Sequence, residues 1–123
     1  MKSQPEESFY PKALDPALIW LRQNSGAEEV ILAEVQTSQL IAQKVGRKVY
    51  IGHPMETLFF DAKRAAVGKA YQQNFSDSVS QEFPVDWIIY GPYEQIIAPD
   101  FDPGANLILR YQNEGVEIYQ VVN

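Results

Sequence analysis

The sequence predicts an α/β fold: a three-layer sandwich around a mixed five-stranded sheet, in which parallel β-α-β units are followed by a C-terminal antiparallel hairpin. Two observations carry that expectation. From Asp15 to Tyr90, short apolar runs of strand length alternate with segments of helical periodicity, the pattern of right-handed parallel crossovers. Beyond residue 105, two β-rich segments flank Asn113-Glu114-Gly115, the composition of a tight hairpin turn.

The elements follow in order. Asp15-Pro16 reads as a helix start, with Asp as the cap and Pro in the first helical position, where its missing N–H costs nothing. Leu14, Leu18 and Leu21 supply an apolar stripe, with Ile19 and Trp20 beside them, and Asn24-Ser25-Gly26 ends the helix on a left-handed glycine. Residues 29–35 (EVILAEV) form a buried strand. Gln36-Thr37-Ser38 caps a short helix whose inward face holds Leu40, Ile41 and Val45, and Gly46 stops it.

A second strand covers 47–52. From Glu56 a long helix presents Phe59, Phe60, Ala62, Ala66, Val67, Ala70 and Tyr71 on one broad face. A third strand, 85–90, closes at Gly91-Pro92, one helical turn covers 93–97, and PDFDPG (99–104) is loop. Strands at 107–112 and 116–122 complete the sheet.

The 123 residues suit one domain, with 15–123 as the α/β unit and the polar residues 1–14 as a linker or N-terminal extension. Zero cysteines exclude disulfides, thiolate metal sites and thiol nucleophiles. A net charge of −6 with no dense basic run argues against nucleic acid. No apolar stretch has the length of a membrane span or a signal peptide, so the chain as it stands reads as soluble.

In sheets of this kind ligands gather at the carboxyl ends of the parallel strands. That edge holds Thr37 and Ser38, then His53, Glu56 and Thr57, then Tyr90, Tyr93 and Glu94; Arg47, opening the second strand, joins them as a candidate for ligand or partner contact, or pairs with an acidic neighbour. His53 and Glu56 could serve as acid and base or as metal ligands, but the lone histidine leaves a metal site without further nitrogen or sulfur donors. The plainer role for His53 is to donate to a backbone carbonyl and fix the turn. Tyr90, Tyr93 and Glu94 combine two rings and a carboxylate, which suits sugar stacking as well as a core cap. There is no GxGxxG, no GxxxxGK[ST] and no GxSxG. No catalytic residue, cofactor or metal is assigned.

The residues WLRQN, GRKVYIGHPMET and VDWIIYGPYE, with Ile118-Tyr119 closing the series, resemble the C-terminal soluble segment of bacterial polytopic membrane glycosyltransferases of the dolichyl-phosphate-mannose protein mannosyltransferase type. The resemblance covers Trp20, Leu21, Gly46, Arg47, Val49 to Thr57, Lys63 and Val85 to Glu94, and its paired motifs are GHxxET and YGPxE. The sequence departs from the pattern at 39–43 and at Val45. The resemblance implies an extracytoplasmic domain accessory to transfer of a sugar from a lipid-linked donor, not catalytic alone, with the transmembrane portion of the same polypeptide as partner and a sugar or lipid-linked sugar as ligand. The alternative is an independent soluble α/β module for a small anionic or nucleotide-like ligand; a stand-alone hydrolase is a third class.

Overall fold

The computed structural model describes residues 11–51, 60–75, 84–104 and 106–122. Among these, α1 (Leu14–Asn24) leads to β1 (Val30–Leu32), then α2 (Val35–Leu40) with a wider π-helical turn Ile41–Val45, then β2 (Lys48–Val49), α3 (Phe60–Gln72), β3 (Trp87–Tyr90), α4 (Pro92–Ile97), β4 (Leu107–Asn113) and β5 (Val116–Val121). The five strands form one mixed sheet in the order β2-β1-β3-β5-β4. β1 runs parallel to both β2 and β3, whereas β3–β5 and β5–β4 are antiparallel. The predicted α/β sandwich is the observed fold.

Strand alternation sends successive side chains to opposite faces and divides the interior in two. Ile31, Trp87, Ile89, Val116 and Ile118 meet Leu14, Leu18 and Leu21 of α1 and Ile41 and Val45 of the π-helical turn. Leu32, Ile88, Tyr90 and Tyr119 meet Val67, Ala70 and Tyr71 of α3, together with Phe75. The two clusters make a helix layer on each side of the sheet. Trp20 stands edge-on to Trp87 at 5.7 Å between ring centroids, and the Trp87 indole N–H donates to Glu29 Oε1 at 2.8 Å.

Several local expectations are corrected. Asp15 lies inside the first turn of α1 and Ala13 occupies the cap without a side-chain hydrogen bond, so Asp15 sits by the positive end of the helix dipole instead of capping it. The helix closes at Ser25 in extended conformation, with the Ser25 N–H and Oγ both donating to the Leu21 carbonyl; Gly26 is not left-handed. β1 is shorter than the apolar run because Glu34 already caps α2, its carboxylate accepting from Gln36 N at 3.2 Å. Ala62 and Ala66 of α3 are exposed, so the buried stripe there is narrower than expected. Gly46 ends the π-helical turn at φ 72°, as its position predicts. The hairpin turn places Glu114 and Gly115 at φ 52° and 83°, the two positive values of a type I′ turn.

Candidate functional site at the carboxyl edge of the sheet

β1 and β3 are neighbours whose outgoing connections part: α2 carries the chain to β2 on one side, and α4 carries it toward the hairpin on the other. Such a divergence opens a crevice at the carboxyl ends of the two strands. A cleft of about 400 Å³ lies there, with Glu34 from the N-cap of α2 and Gln36 from its first turn, Arg64, Gly68, Lys69 and Gln72 from α3, and Tyr93 and Ile96 from α4.

The floor is a stitched backbone. Pro92 opens α4 after Gly91, and the Glu94 carboxylate reaches back to accept from Gly91 N at 2.9 Å, the returning half of a capping box. Its other oxygen accepts from Glu34 N at 2.9 Å, which ties the end of β1 to α4. Glu94 has no solvent exposure, and this desolvation raises its pKa above the ordinary carboxylate value. The backbone N–H donors of Glu34 and Gly91 pull the other way and do not overcome it. The buried Thr37 hydroxyl beside the carboxylate also favours its charged form. Beneath, the Tyr71 hydroxyl donates to the Ile89 carbonyl at 2.5 Å; burial first, then the charges of Glu94 and Glu34, push that phenol well above its ordinary range.

Above this floor the groups face the cleft. Glu34 is almost wholly buried, and its Oε2 takes the Arg64 Nε–H at 3.3 Å, while the Arg64 side chain remains 55% exposed. Lys69 is exposed on the same wall, and the Gln72 amide donates to the Ile97 carbonyl at 3.3 Å, bridging α3 and α4. Among the described residues no group of three acidic or histidine side chains gathers closely enough to hold a metal ion. The arrangement orients charge and hydrogen-bonding groups around a small volume, which suits binding.

The candidates named from the sequence divide. Tyr93 lines the cleft and Glu94 builds its floor. Thr37 and Ser38 adjoin the site but are fully buried, and Ser38 Oγ donates to the Ala33 carbonyl at 3.1 Å, so neither is presented to a ligand. The Tyr90 ring is buried in the aromatic cluster and its hydroxyl donates to the Ala98 carbonyl at 2.6 Å. Arg47 precedes β2 and so lies at the other edge of the sheet; it holds the end of α1, donating to Ser25 Oγ, Arg22 O and Ser25 O at 3.0–3.1 Å, and its charge also helps lower the pKa of nearby Glu29. His53, Glu56 and Thr57 lie outside the described residues. Glu34, Arg64, Lys69 and Gln72 were not anticipated. The signal for Glu34 is a carboxylate set inside an apolar run directly before a helix.

The sequence matches no protein-family model and no curated protein. Among solved structures, the C-terminal globular domain of an oligosaccharyltransferase from Archaeoglobus fulgidus is similar with a TM-score of 0.61. The similarity covers 92% of this chain and 99% of that domain at 11% sequence identity. At that identity the likeness establishes a shared fold.

Proposed function

We propose that this chain is an extracytoplasmic accessory domain of a membrane-embedded glycosyltransferase-like protein, assisting transfer of a sugar from a lipid-linked donor and not catalytic alone. The observation that carries this reading is the nearly end-to-end match in fold with the globular domain of an oligosaccharyltransferase. The GHxxET and YGPxE motifs support it independently, since their resemblance points to the same class of machinery. Among the described residues no helix is long and apolar enough to cross a membrane, so any anchoring would come from another part of the polypeptide. The experiment is fractionation of source cells with an antibody raised against the domain, paired with deletion of its gene. Recovery with the membranes, digestion by protease added outside, and loss of a sugar from glycoproteins or lipid carriers are expected. A protein found in the soluble cytoplasm, with glycans unchanged by the deletion, would refute the proposal.

A second reading, an independent module for a small anionic ligand, is favoured by the two cations lining the cleft, Arg64 and Lys69. The same fractionation separates the two, because such a module needs no membrane partner.

A further inference from the structure

We propose that the cleft between α3 and α4 is a binding site for a small hydroxylated monoanion of the sugar-acid class, its carboxylate held by Arg64 and Lys69 and its hydroxyl groups by Gln36, Gln72 and Glu34. This rests on reading the cleft as the ligand-facing edge and takes nothing from the identity of a membrane partner.

The anion specificity comes from an oriented cation. Glu34 is buried and fixed by the Gln36 N–H, and it takes the Nε edge of Arg64. Among the described residues Glu34 is the ion-pair partner of that guanidinium through Nε alone, which anchors one edge of its planar fork. A pre-oriented guanidinium matches a carboxylate with two parallel hydrogen bonds and loses little freedom on binding. Lys69 stands on the same wall. Among the side chains that line the cleft, Arg64 and Lys69 stand against the single carboxylate of Glu34 in an otherwise acidic protein, a balance that matches a small anion of low charge.

The hydroxyl specificity comes from the remaining lining. Two side-chain amides and the further lone pairs of Glu34 offer both donors and acceptors, as a polyol requires. The Tyr93 ring and Ile96 supply apolar surface for the C–H face of a sugar ring. The volume of about 400 Å³ falls within the range of small-ligand sites.

The test is an amide NMR titration of the 123-residue chain with D-glucuronate, D-glucose and acetate. Glucuronate is expected to give saturable shifts concentrated at residues 64–72 and 93–97, with glucose and acetate each weaker by about tenfold, the value of one charged or several neutral hydrogen bonds. Arg64→Gln and Lys69→Gln are each expected to weaken glucuronate by about tenfold. Lys48→Gln, which removes an exposed pair with Glu28 away from the cleft, should leave its affinity unchanged. Lys69 is exposed, so its variant tests the site even if the loss of Arg64 disturbs Glu34. No saturable shift, equal binding of glucose or acetate, or affinity unchanged in both cleft variants overturns the proposal. Failure here leaves the membrane fractionation untouched, and failure of the fractionation leaves this titration standing.

Discussion

Glu94 shows how one side chain can organise a site without facing a ligand. Its two oxygens satisfy backbone N–H groups on separate elements, and the burial that makes those bonds strong also disfavours the charge. With the folded-state pKa above the ordinary 4.5, the native state holds its proton where the unfolded chain has released it. The contribution of Glu94 to stability is therefore full below the unfolded pKa and is lost as pH rises through the folded value. Glu94→Gln removes this titration but leaves one N–H facing an amide nitrogen, costing about 1–3 kcal/mol in acid. Urea melts from pH 4.5 to pH 8 should show the variant less stable at the acid end and the gap narrowing as pH rises. A gap that stays constant or widens would place the folded pKa at or below the ordinary value. The YGPYE motif made Glu94 legible in the sequence; its burial was not, because that depends on where the end of β1 lies in space. Glu34 was hidden for a related reason, since an apolar run does not reveal where its strand stops pairing.

Secondary-structure elements were legible in type and less so in their ends. β1 is shorter than its apolar run because Glu34 caps α2; before β3, Asp86 still donates its N–H to the Val30 carbonyl and accepts from Val121 N, and its carboxylate accepts from Val30 N at 2.9 Å. Arg47, a site candidate from its place before the second strand and from the resemblance, closes α1: it donates to the Ser25 hydroxyl and to the Arg22 and Ser25 carbonyls, the two carbonyls lying where the helix leaves acceptors open. Arg47→Ala should lower unfolding free energy by about 1–3 kcal/mol, and Arg47→Lys should recover less than half, because an ammonium cannot reproduce the planar fork. Equal stability of Arg47→Lys and the parent in denaturant melts would show that charge alone suffices. The hairpin gives a test of opposite sign. Glu114 occupies a left-handed conformation that costs an ordinary residue roughly 1–2 kcal/mol and that asparagine tolerates. Glu114→Asn is expected to raise stability by about 0.5–1 kcal/mol, and a lowered thermal midpoint would argue against a type I′ turn.

At the scale of the whole molecule, the parallel units and the hairpin follow from the sequence, but the placement of β5 rather than β4 beside β3 does not follow from chain order. Composition explains it: β5 buries Val116, Ile118 and Tyr119, whereas β4 exposes Ile108, Leu109 and Arg110 and carries the bulge between Leu109 and Tyr111, as an edge strand can. The sheet then separates two apolar clusters, and both tryptophans belong to the same side, Trp87 in the α1 cluster and Trp20 packed against it. Tryptophan fluorescence therefore reports one face, while Ile88 belongs to the other. If the sheet couples the faces into one cooperative unit, Ile88→Val, which removes one buried methylene and costs about 0.5–1.5 kcal/mol, must shift the tryptophan transition as far as it shifts the loss of helical circular dichroism. The two signals should also coincide in the parent. A tryptophan midpoint unmoved by Ile88→Val, or one separate from the circular dichroism midpoint, would mean that the α1 face unfolds independently. The stitch from Glu94 to the end of β1 would then hold the cleft together only while the α3 face remained folded.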